Sequence, residues 1–305
     1  MKKAIQMMNN GIQHQELSNY RFLYFVLTFK KFIAVLALFT IGYTPQTLLA
    51  LDFQLFPFEP KLTKYIQNYH KGGDAKEALE VFFDINHDQF QKKAIENNEP
   101  HSRAILMAFY VSILGENADL VLPFTRRLIK YSSGRKAAFG TEVIAYGATK
   151  NRKEALDLIV KHYNLKPDDA AKFESLEVLP YLKMSVNHWQ TLDILWGCYF
   201  ATANSLYLEM IAEPLIYWQV PDEKYEKKLK YFAKTIPSPG TKNYIEWVNL
   251  LIAQASMFGL THNATMYPVV YESLVEISKK REDRVGELAK KITRLIKNRT
   301  VIGQI

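Results

Sequence analysis

Residues 30–50 constrain this chain more than any other stretch. Lys30 and Lys31 precede an unbroken apolar run of 12 residues, 32–43 (FIAVLALFTIGY), and a turn-prone segment, 44–50, follows. A basic head, an apolar middle and a tail ending in the small residue Ala50 form the layout of an export signal. The run is shorter than the ~20 residues that span a bilayer. Leu48, two before the expected cut, is larger than the small residue usually found there, and a second apolar patch (FLYFVLTF) occupies 22–29. Two other readings stay open. Residues 32–51 carry no charge and could remain as an uncleaved anchor, with Arg21, Lys30 and Lys31 on the cytoplasmic side. The run could also be a buried core helix. Export, to the periplasm or outside, is the expectation carried forward.

The leader also explains much of the charge. The chain is formally +8, and residues 1–50 hold five Lys/Arg and one acid, leaving +4 for 51–305. Residues 279–299 hold nine Lys/Arg and three acids, or +6, so the remainder is close to neutral. That is no nucleic-acid footprint. With 48% hydrophobic and 23% charged residues the chain is globular rather than disordered. The single cysteine, Cys198, excludes an intrachain disulfide, and its apolar context (LDILWGCYFA) marks it as a buried, inert thiol. It lies far from any lipoprotein cleavage site.

Residues 51–60 (LDFQLFPFEP) alternate and then break at Pro57 and Pro60, which predicts an extended arm. From Lys61 onward the period is helical. Leu62, Ile66 and Tyr69 share a face, Gly72 and Gly73 end the helix, and Asp74 with Glu77 marks the next start as a capping box. Ala78, Leu79, Phe82 and Phe83 form the second apolar face. The same pattern recurs 77 residues on: Phe139, Val143 and Tyr146, then Asn151 and Glu154, then KEAL at 153–156, then Ile159 and Val160. A helix pair around Gly115–Asn117 lies between. Pro167, Asp168 and Asp169 suit a further helix start, and Pro180 marks a boundary. Residues 221–235 read as a charged helix, 236–240 (IPSPG) as a linker, and 244–259 as a central apolar helix. In the last helix Val285, Leu288, Ile292 and Leu295 are expected to form one stripe, with Lys290, Lys291, Arg294 and Lys297 off it.

Over residues 61–164 the Gly/Asp-x-x-x-Ala-Leu turns resemble tetratricopeptide-type and related α-solenoid arrays, in which helix pairs share one core. The regular 34-residue period of such arrays is absent, and an irregular antiparallel bundle explains the same caps. The block DILWGCYFAT at 193–202, with 247–268, is similar to stretches in uncharacterised bacterial exported helical proteins. That resemblance implies fold and compartment and carries no activity.

No catalytic signature competes. The seven histidines are scattered, without His-Glu-x-x-His or a Cys/His pair at metal spacing. There is no Gly-x-Ser-x-Gly elbow, and the SSGRK segment at 132–136 is a turn between helices rather than a phosphate loop. Asp193, near His188 and Trp189, and the pair Glu209 and Glu213 could do acid–base work on a glycan. The plainer reading makes Asp193 a helix cap and leaves Glu209 and Glu213 facing water. The basic last helix is either a solvated face or a contact for acidic lipid head groups or an acidic partner.

The sequence therefore predicts an all-α protein of stacked antiparallel helix pairs, solenoid-like or bundled, behind an N-terminal signal or anchor. Its expected division is 1–50 leader, 51–60 arm, 61–180 helix-pair region and 181–305 C-terminal helical region. The expected role is a non-enzymatic interaction or scaffold protein of the cell envelope. It would have a protein partner there, contact an anionic membrane surface through Lys290, Lys291, Arg294 and Lys297, and need no cofactor, metal or nucleic acid. An enzyme acting on cell-wall glycan and a secreted effector are the alternatives.

Overall fold

A computed structural model describes residues 60–96, 100–147, 150–176, 181–218, 227–228, 231–232, 237–238 and 240–302. The leader and the arm up to residue 59 lie outside the described residues, as does most of the expected helix 221–235. All described regular structure is helical. The α-helices are α1 (Pro60–Tyr69), α2 (Ala75–Asp84), α3 (His87–Glu96), α4 (Pro100–Glu116), α5 (Val121–Tyr131), α6 (Gly134–Tyr146), α7 (Arg152–Tyr163), α8 (Pro167–Glu174), α9 (Trp189–Thr202), α10 (Ser205–Ala212), α11 (Lys242–Met266), α12 (Pro268–Lys280) and α13 (Arg284–Ile302). Short 3-10 turns at Ala118–Leu120, Tyr181–Lys183 and Glu213–Tyr217 interrupt them. The last of these follows α10 where Pro214 removes a backbone donor.

The most extensive helix pair among the described residues joins α4 to α9, which start 89 residues apart, at Pro100 and Trp189. Both helices are apolar on every side, the mark of an enclosed helix. Every residue from Ile105 to Leu114 is buried, and Leu195, Cys198, Tyr199 and Phe200 are fully buried. Gly197 permits the close approach: a Cβ there would sit 2.5 Å from the Ile105 carbonyl oxygen and 2.9 Å from the Ala108 Cβ. Neighbouring helices pack as well: α12 on α13, α9 on α10, α11 on α12 and α7 on both α5 and α6. One buried cluster runs from Leu62 to Ile296, on both sides of position 180. A small second cluster holds Phe232, Trp247 and Leu250.

Side-chain caps fix several helix starts. Asp74 accepts from the Lys76 and Glu77 amides, Asn204 from Leu206, and Thr241 from Tyr244. Two expectations about caps are corrected. Asn151 does not cap α7; its Nδ2 donates instead to the Ala118 carbonyl at 2.8 Å. Asp193 does not start α9, which begins four residues earlier with the His188 ring accepting from the Gln190 amide. α4 and the 118–131 segment form the expected helix pair, bent by 102° at the break rather than antiparallel. Among the described residues, no single helix is long and apolar enough to cross a membrane.

Candidate functional site

The four cations singled out in the sequence fall on one exposed face. At about 100° per residue, Lys290, Lys291, Arg294 and Lys297 occupy an arc of about 120°, and all four are exposed. The opposite face of α13 is anchored by Val285, Leu288, Ala289, Ile292 and Ile296, all buried. Leu295 departs from its expected place in that stripe. It is 45% exposed, because the stripe continues through Ile296 and turns Leu295 to its edge. Leu295 therefore joins Glu287, Lys290, Lys291, Arg294 and Asn298 around a surface groove of about 320 Å³.

The helix start behind this face is firmly tied. Asp283 Oδ1 accepts from the Gly286 amide at 3.2 Å. Arg281 pairs with both Asp283 and Glu213, and its guanidinium holds the Asp283 carboxyl below the ordinary carboxylate range. Arg284 donates to the Trp218 carbonyl at 3.2 Å and pairs with Glu287 at 2.9 Å. Glu287, the one acid of the groove, is thus engaged by Arg284, and the face keeps a positive balance.

The other expected carboxylates line neither of the two concavities described here. Glu213 is exposed, as expected, and is also paired with Arg281. Asp193 and Glu209 are half-buried on α9 and α10, and neither lines the groove on α13 or the cleft described next. Cys198 is fully buried, and burial pushes its thiol up to about 12, so it is an inert core group. Among the described residues, no group of three or more His, Cys, Asp or Glu side chains is placed to hold a metal ion.

A second feature was not read from the sequence as a site. The C-terminal ends of α1, α4 and α9 converge with the start of α2 around a cleft of about 420 Å³. Tyr69, His70, Asp74, Glu116, Asp119 and Thr202 are among its walls, and Lys76 is its one cationic side chain. Gly72 turns the chain there with φ +107°, a conformation that favours glycine. Tyr69 is 8% exposed, its ring lying against Gly73 and edge-on to Phe109 at 5.1 Å. Burial, and then the nearby Asp74 and Glu116 carboxylates, push its hydroxyl up to about 12. Partial burial raises the Glu116 carboxyl and lowers the His70 imidazole. The signals in the sequence were two turns, 72–74 and 115–119, each carrying acids at helix ends. Their meeting is a long-range event that spacing does not encode.

No known family model matches the chain, and no match was found among curated proteins or among solved structures.

Proposed function

We propose that this chain is a non-enzymatic interaction protein of the cell envelope, exported through residues 30–50 and held against an anionic membrane surface by α13. The observation that carries this reading is the exposed arc of Lys290, Lys291, Arg294 and Lys297 beside the edge residue Leu295. Each cation near an anionic leaflet contributes about 1 kcal/mol, so four together give a useful, salt-sensitive attraction. A flanking apolar side chain adds shallow insertion of the kind amphipathic helices make. In this reading the helix pairs stack in a solenoid-like manner and offer the remaining surface to a protein partner of the envelope. The glycan-directed alternative would have to work with a Glu213 already engaged by Arg281.

The test is flotation of the full chain with phosphatidylglycerol-containing vesicles and with phosphatidylcholine vesicles. The leader, with its own basic residues, is the same in the native chain and in a variant of α13, so the difference between those two proteins reports the charge of α13. Excess binding to the anionic vesicles is expected, abolished at roughly 0.5 M salt, where the screening length is only a few ångströms. It is also expected to fall sharply in the fourfold variant Lys290→Glu, Lys291→Glu, Arg294→Glu, Lys297→Glu. Equal binding to both vesicles, or an excess undiminished by the fourfold reversal, contradicts the assignment.

A further inference from the structure

The cleft at the ends of α1, α4 and α9 has the electrostatics of a cation site. A helix C-terminus carries about half an elementary negative charge on its terminal carbonyls. Three such ends meet here: Tyr69–His70, Glu116–Asn117 and Ala201–Ala203. Asp74, Glu116 and Asp119 add three carboxylates, against the single ammonium of Lys76. Two helix starts oppose them, each with an acid beside it: Asp74 accepts from the Lys76 and Glu77 amides at the start of α2, and Asp119 lies in the first turn of the 118–120 segment that leads into α5.

Polar side chains at the wall support a ligand independently of this charge. Tyr69 is more than nine-tenths buried and lines the cleft. Its hydroxyl makes no hydrogen bond among the described residues, and it is not among the enclosed oxygens, so it opens on the cleft. Beside it, His70 has both ring nitrogens enclosed and without a hydrogen-bond partner among the described residues. A cation that donates to the Tyr69 hydroxyl makes a hydrogen bond against an otherwise buried ring, worth about 1 kcal/mol net. A bare metal ion fits poorly, because no three His, Cys, Asp or Glu side chains are placed around one point among the described residues. The volume and the spread of acceptors suit a larger cation that donates in several directions.

We propose that this cleft binds an organic cation, an ammonium or guanidinium group, seated on the converging helix C-termini between Tyr69, Glu116 and Asp119. The site is separate from the basic face of α13 and stands or falls independently of membrane contact. The same chemistry comes from a free polyamine or from a lysine or arginine side chain of a partner protein.

Calorimetric titration of the full chain with spermidine, and separately with the peptide acetyl-Lys-Arg-Lys-amide, tests the proposal. Saturable binding by at least one probe is expected. Glu116→Gln and Asp119→Asn should each weaken it about tenfold, the usual scale for one charge-assisted hydrogen bond. Tyr69→Phe should weaken it less, and Glu276→Gln, on the exposed face of α12, should leave it unchanged. Circular dichroism confirms that each variant is folded. Saturation by spermidine alone assigns a polyamine, and saturation by the peptide alone assigns a partner's basic side chain. No saturation by either probe overturns the proposal. Binding that is indifferent to Glu116→Gln and Tyr69→Phe also overturns it, as does magnesium chloride saturating the protein with the same dependence on these variants.

Discussion

Two segments of this chain, 61–83 and 138–160, share a pattern and differ in what surrounds it. Leu62, Ile66, Ala78, Leu79 and Phe82 are buried in the first, and Phe139, Val143, Ala155, Leu156 and Ile159 are buried at the corresponding positions of the second. Even Phe83 and Val160 match as half-buried. Yet α1 lies against α9, whereas α6 and α7 pack on each other. Both inter-helix turns also approach the Asn117–Leu120 turn. In the second segment Asn151 closes that approach with its bond to the Ala118 carbonyl. In the first, Asp74 stays on its own helix and the space remains as a cleft. A shared apolar pattern fixes which side chains go inside. The polar residues at the turns decide whether a junction is sealed or left able to receive a ligand.

The largest effect that sharpens this comparison is at Phe82. Its ring is enclosed by Tyr110 at 5.1 Å, Phe124 at 5.0 Å and Phe83 at 5.3 Å, with the His87 ring at 4.7 Å. Phe82→Ala is expected to cost about 3–5 kcal/mol and Ile159→Ala about 2–4. Urea unfolding measures both, and a larger loss at Ile159 would reverse the ranking of the two segments.

Next is acid sensitivity. His87 is 3% exposed and hydrogen-bonded through Nε2 to the Phe82 carbonyl at 3.0 Å, and burial holds its imidazole down at about 4. The residue 77 positions on is Asn164, which does not titrate. The unfolded chain takes up the His87 proton near pH 6.5 and the folded chain only near 4. Stability is therefore complete above about 6.5 and falls as pH drops toward 4, by about 2–3 kcal/mol. His87→Gln should flatten unfolding measurements across that window. An unchanged slope would mean that other groups carry the acid response.

The smallest effect separates the two turns by chemistry. Asp74→Asn keeps a capping acceptor and should change stability by less than about 0.5 kcal/mol. Asn151→Asp improves the capping residue on paper but removes the donor to Ala118, so it should cost about 1–2 kcal/mol. If thermal unfolding shows the reverse, Asn151 is a cap and the two turns are equivalent.

Periodicity made the helices legible. Leu62, Ile66 and Tyr69, or Val285, Leu288 and Ile292, name their own buried faces, and the basic arc of α13 follows because it lies on one helix. Leu295 was misplaced because a single residue at the stripe edge is decided by the helix's rotation against α12. Asn151 misled for a related reason: its sequence neighbours favour a cap, but a carbonyl 33 residues away was the better partner. The pairing of α4 with α9 through Gly197, and the meeting of three helix ends at the cleft, depend on contacts between distant segments. No local pattern carries them.

Where residues 30–50 send the chain decides whether α13 ever meets the surface proposed for it. Fractionation of the source cells, with N-terminal sequencing of the recovered protein, tests this most directly. The expected result is a chain outside the cytoplasm and associated with membranes, either beginning near residue 51 or retaining 32–51 as its anchor. Recovery from the cytosol with residues 32–43 intact would contradict the envelope assignment and leave the basic face of α13 without its proposed surface.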